Sequence, residues 1–132
     1  MRTGGLAQTW MALAGIVLVA VGLLGFIDNP LVGDSANALV PTDLLHNIVH
    51  LGTGALALYI AFGLRGDNQV NATIGFGVLY AVIFLAVLVS PTLFGLFQVP
   101  ANAVLHVIHA ALALVSLAVG YMARSSTTTS YA

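Results

Sequence analysis

The sequence predicts an all-α integral membrane protein: a four-helix bundle of two tandem, parallel helical hairpins, with both termini on the cytoplasmic side. Three observations carry this. Of 132 residues, 60% are hydrophobic and 5% are charged, too few polar groups to cover a soluble domain, whereas lipid solvates such a surface directly. Four apolar runs are each long enough, at about 1.5 Å per helical residue, to cross a hydrocarbon layer about 30 Å thick. When the chain is threaded through four crossings, Arg2, Arg65 and Arg124, its only arginines, all fall on one side.

The expected spans are about residues 9–27, 44–64, 72–90 and 103–123, in a single domain over residues 1–132. The first follows Arg2 and precedes Ala36-Asn37-Ala38, which mimics a signal-peptidase site. Its apolar stretch exceeds the roughly 7–15 residues of a signal peptide, so it reads as a retained helix. The second opens after Pro41, where Thr42 and Asp43 are suited to cap free N–H groups. A loop from Arg65 to Asn71 leads to the third, which Ser90-Pro91 ends. Pro100 and Asn102 open the fourth in the same manner, and residues 125–132 form a polar tail expected to lack regular structure.

Positive charge marks the cytoplasmic side of a membrane protein. The opposite, outer side then holds Asp28, Asp34 and Asp43 in a long first loop and the uncharged stretch from Pro91 to Ala101 in a second. Trp10 and Tyr121 fall at the inner interface and Phe94 and Phe97 at the outer one, where amphipathic rings collect. Asn71-Ala72-Thr73 matches a glycosylation acceptor but faces the cytoplasm. Gly52, Gly54, Gly75 and Gly77 lack phosphate-loop spacing and mark close helix contact.

An internal duplication is visible. Leu23-Leu24-Gly25-Phe26-Ile27-Asp28-Asn29-Pro30 echoes Leu93-Phe94-Gly95-Leu96-Phe97-Gln98-Val99-Pro100, and each precedes a Leu-His helix. The second and fourth helices would then run parallel, with His46 and His50 at the same depth as His106 and His109. Residues three or four apart share a helix face. One stripe is His46, His50, Thr53, Ala57 and Ala61; the other is His106, His109, Ala113, Ser116 and Gly120. Small residues let transmembrane helices approach closely. The expected packing presses the two stripes together and brings all four imidazoles within a few ångströms.

Several functions are excluded. The absence of cysteine removes disulfides, iron–sulfur clusters and thiolate metal sites. A formal net charge of −1 gives no footprint for nucleic acid. No nucleophile–base–acid set is visible, so an enzyme is not expected. No Asp, Glu, Lys or Arg lies within a span, which argues against an ion-coupled transporter. The histidines remain, because a titratable group at membrane depth is costly unless partnered. They suit interhelical hydrogen bonds of about 0.6–2 kcal/mol each, a transition metal, haem or another tetrapyrrole with His46 and His106 as axial ligands, or a proton relay. The composition favours a small non-enzymatic protein of the cell membrane, a structural or accessory subunit of a larger membrane complex or a homo-oligomer. The alternative is a haem, tetrapyrrole or metal carrier using His46, His50, His106 and His109.

Val21-Gly22-Leu23-Leu24-Gly25-Phe26, Leu45-His46-Asn47-Ile48-Val49-His50-Leu51 with Gly54 following, Gly77-Val78-Leu79-Tyr80, Leu93-Phe94-Gly95-Leu96 and Leu105-His106 together resemble the four-helix membrane family known as domain of unknown function 4383. The likeness covers about residues 10–120, and the His-Asn-x-x-His element is its most specific part. The resemblance implies four transmembrane helices and a family without an assigned biochemical activity. His46, His50 and His106 fit its pattern; His109 has no place in it.

Overall fold

The four expected spans form as α1 (Gly4–Leu24), α2 (Leu44–Gly63), α3 (Gly66–Val89) and α4 (Ala103–Tyr131). They are seen in a computed structural model that describes residues 4–35 and 37–131, with side chains over 5–35 and 37–124. Arg2 lies outside the described residues. Each helix is long and apolar enough to cross a membrane, and the architecture is that of a multi-pass membrane protein. Two short strands, β1 (Val32–Gly33) and β2 (Val40–Pro41), pair in parallel within the α1–α2 connection.

The helix boundaries differ from expectation where side chains intervene. α1 stops at Leu24 rather than reaching Ile27, where Asn29 takes hold of the helix's last carbonyl and of the turn that follows. The Asn29 Nδ2 group donates to the carbonyls of Leu24 (2.7 Å), Ile27 (2.6 Å) and Val32 (3.0 Å), and its Oδ1 accepts the N–H groups of Leu31 and Val32. A short amide that replaces helical hydrogen bonds in this way turns the chain.

The loop expected over residues 65–71 is instead the first turns of α3. Buried Gln69 sends its Nε2 group to the carbonyls of Ile60, Ala61 and Leu64 at 2.9–3.1 Å, which are among the acceptors left open at the end of α2. Gly66, at φ +59°, makes the reversal that a side chain would strain. α3 ends as expected, at Val89 before Ser90-Pro91. α4 continues as helix to Tyr131, beyond the expected end near residue 123, since no proline or glycine interrupts the tail.

Close backbone contact falls inside each hairpin, not between α2 and α4 as expected. A Cβ on Gly54 would lie 2.8 Å from the Val19 nitrogen of α1, and one on Gly77 would lie 2.9 Å from the Leu117 nitrogen of α4. Gly120 admits Ile74 of α3, while Gly52 and Gly75 face open space and make no close contact. The backbones of α2 and α4 make no direct approach. Ala57, Ala61 and Ala113 are buried, but the room they leave is taken by Met11 and Leu18 of α1 and by Phe76 and Tyr80 of α3. Trp10, read as an interfacial anchor, is half-buried and donates from Nε1 to Ser116 Oγ at 2.8 Å, tying α1 to α4. Tyr121 and Phe94 remain exposed.

Candidate metal centre

The two histidine-bearing helices are set by their caps. At α2, Asp43 Oδ1 accepts the His46 backbone N–H at 2.9 Å, so the cap lies three residues before His46, and His50 follows one turn later on the same face. At α4, Asn102 Oδ1 accepts the Leu105 N–H at 3.0 Å. Both caps were expected, but each also grips the other hairpin. Asp43 Oδ2 accepts the backbone N–H groups of Gln98 and Val99 from the α3–α4 connection. Asn102 Nδ2 donates to the Leu39 carbonyl in the α1–α2 connection at 3.1 Å. Burial alone would raise the Asp43 pKa; the three N–H groups outweigh it and hold the carboxyl below its ordinary value.

His46, His50 and His109 converge between these caps and the bundle centre. All three are at most 2% exposed. The His46 ring centroid lies 4.4 Å from that of His50 and 5.9 Å from that of His109. One ring nitrogen from each can be chosen so that all three lie within 4.8 Å of one another. His106 is half-buried and stands outside this group. Three of the four predicted histidines are thus brought together, and the third is His109, the residue that the family resemblance left out.

The imidazoles are not joined by hydrogen bonds. Neither nitrogen of His50 has a partner, nor has Nδ1 of His46, His106 or His109, although all these atoms are buried. A buried polar atom without a partner costs about 1–3 kcal/mol. The expectation of rings knitting the helices through direct hydrogen bonds therefore has no bond of that kind at these atoms. What the geometry supplies is a set of neighbouring nitrogen lone pairs, the donor set that zinc, copper, iron or nickel accepts.

Two aromatic residues complete the surroundings. Phe97, expected at the outer lipid interface, is 5% exposed and stacks on His46 with centroids 4.4 Å apart and planes 3° apart. Tyr80 of α3 sits 6.0 Å from the His109 ring, and its hydroxyl lies 2.6 Å from Thr53 Oγ1. Because the Thr53 hydroxyl donates to the Val49 carbonyl at 2.9 Å, Tyr80 is the donor of that pair. Sequence reasoning passed over Tyr80 as a neighbour of the histidines. The available signal was a lone phenol in mid-span, which needs a polar partner when buried.

Fold and site define a class: a small four-helix membrane bundle with a buried three-histidine cluster near one end. The chain matches a protein family described as a domain of unknown function (DUF4383) over residues 8–122, and it belongs to that family. No curated protein and no solved structure matches it.

Proposed function

We propose that this chain is a non-enzymatic membrane protein that holds one transition-metal ion at His46, His50 and His109. The single observation that carries the reading is three buried imidazoles with donor atoms within 4.8 Å and unpartnered nitrogens on each ring. Three neutral nitrogens suit zinc or another imidazole-binding divalent metal and leave a fourth position open. A bis-histidine tetrapyrrole fits less well. Its flat ring needs clear space in front of an axial nitrogen, and here two further imidazoles crowd that of His46.

The ion also answers the structural role suggested by composition. Two ligands come from the first hairpin and one from the second, so a bound metal cross-links them and adds its binding free energy to the folded state. The internal echo of the two Leu-His segments supports the reading of two tandem hairpins. Arg65 and Arg124 lie at the end opposite the histidines. By the positive-inside rule this supports a cytoplasmic location for the termini, and a site one or two turns below the outer surface of the cell membrane.

The test is metal analysis of the detergent-purified protein after equilibration with Zn²⁺ or Co²⁺. One ion per chain is expected, with a cobalt absorption spectrum of imidazole ligation. His46→Ala and His109→Ala should lose it and His106→Ala should keep it. A metal-free wild type, or equal binding by all three variants, would overturn the reading.

A further inference from the structure

The charge available to the three imidazoles decides which ions they can hold. The chain has four acidic residues, all among the described ones, and none joins His46, His50 and His109 as a donor. Asp28 and Asp34 are exposed in the α1–α2 connection, and Asp67 lies in the first turn of α3, at the end opposite the histidines. Asp43 is the exception. It is 6% exposed, caps the helix of His46 and interacts electrostatically with that ring. The site therefore combines three neutral nitrogens with one negative charge at its edge. Solvent is held off, since the three rings are buried and Phe97 stacks over His46. Metal-bound imidazoles commonly donate their second nitrogen to a carboxylate or a carbonyl. Neither nitrogen of His50 has a partner, so whichever one takes an ion, the other adds no such support.

The cost of moving an ion from water into a low-dielectric interior rises with the square of its charge, about fourfold from a monovalent to a divalent ion. A monovalent ion at the triad makes a neutral assembly with Asp43. A divalent ion leaves a buried excess of positive charge unless an anion enters with it, in the fourth position. Among the metals that imidazole suits, copper has an ordinary monovalent state, a d10 ion that three donors can satisfy. We propose that the triad selects its ion by charge, taking the cuprous ion in preference to Zn²⁺ and other divalent metals. Divalent ions bind there more weakly, with an anionic fourth ligand. The inference rests on the metal reading of the triad and narrows it to one ion.

Ag⁺, a monovalent d10 ion that needs no reductant, tests this on the detergent-solubilised full chain in chloride-free buffer. The chain is first loaded with Co²⁺, and Ag⁺ is added while the cobalt bands are followed. One equivalent of Ag⁺ should abolish the bands, and Zn²⁺ in about hundredfold excess should not then release the Ag⁺, a preference of two decades or more. Cu⁺ under anaerobic conditions, measured against a chromogenic cuprous chelator, should be retained likewise. His50→Leu, which removes a ring without leaving a buried unpartnered atom in its place, should show no such uptake and gauges Ag⁺ held elsewhere, as by the three methionines. Cobalt bands that persist beyond one equivalent of Ag⁺, or release of Ag⁺ by Zn²⁺, would overturn selection by charge and leave a divalent site standing. A wild type that forms no cobalt bands and holds no more Ag⁺ or Cu⁺ than His50→Leu would overturn the triad reading itself, so the two failures are distinguishable.

Discussion

Phe97 lies flat on His46, 4.4 Å away and within 3° of parallel, although the two residues belong to different hairpins. The contact is held by Asp43, which caps the helix of His46 and takes the N–H groups of the two residues after Phe97. One carboxylate therefore fixes both the imidazole and the ring that covers it.

Removing the cover should loosen the site without emptying it. An apolar shell controls solvent access to a metal, and changes around the ligands typically cost about 10–100-fold in affinity or activity. Phe97→Ala should still bind one ion but release it to a chelator about tenfold faster, as followed by the decay of the cobalt spectrum. An unchanged release rate would reduce Phe97 to ordinary packing.

Asp43→Asn keeps an oxygen for the His46 N–H but turns an NH₂ group toward the N–H groups of Gln98 and Val99. The lost acceptor should lower stability by about 1–3 kcal/mol, measured by thermal or chemical unfolding in detergent. The pH dependence has a definite sign. Because the folded Asp43 pKa lies below its ordinary value of 3.8, its contribution is complete above that value and is lost as pH falls through the lower, folded one. Asp43→Asn should flatten this acid-side loss. An equally steep loss in the variant would assign it to other groups.

Glycines inside the hairpins should be far less replaceable than those facing outward. Gly54→Ala places a methyl against the α1 backbone and should cost about 1–3 kcal/mol through overpacking. Gly52→Ala and Gly75→Ala meet nothing within 4 Å and should be neutral or slightly stabilising, since alanine is the better helix former. Equal melting temperatures for the three variants would reject the packing.

His50 offers a test in the metal-free protein. Both its nitrogens are buried without partners, so His50→Leu should leave apo stability unchanged or raise it by up to about 3 kcal/mol, while abolishing any metal-dependent rise in Tm. A large loss of apo stability would show that the imidazole is hydrogen-bonded within the fold.

Orientation is tested cleanly because the chain has no cysteine. Single cysteines at Ser35 and Arg65 should react from opposite sides of intact cells or spheroplasts, Ser35 from outside. Labelling of Ser35 from the cytoplasmic side alone would invert the assignment and place the histidines near the inner surface.

Much of the molecule is written locally in the chain. Hydropathy over four runs gave the spans, and Pro-flanked Asp43 and Asn102 gave the caps. The i, i+4 spacing gave His46 and His50 on one face. These depend on periodicity and on groups within one helical turn, so no tertiary information is needed. The early start of α3 was less legible. The decisive hydrogen bonds run from Gln69 to carbonyls of the preceding helix, and nothing in the hydropathy of residues 65–71 announces them.

Three matters were decided only by the tertiary structure. Small residues along α2 and α4 read as a mutual interface, yet small size says only that something approaches, and that space is filled by large side chains of α1 and α3. Phe97 read as interfacial because an aromatic residue in a loop carries no mark of the ring it will stack upon. His106 and His109 lie about 60° apart around the helix, so periodicity places both near one face and cannot choose between them. The rotation of α4 about its own axis makes that choice. It is fixed by Gly77 against Leu117 and Gly120 against Ile74 within the second hairpin, and by the Asn102 bridge to Leu39 of the first, contacts between residues far apart in the chain that no local periodicity announces.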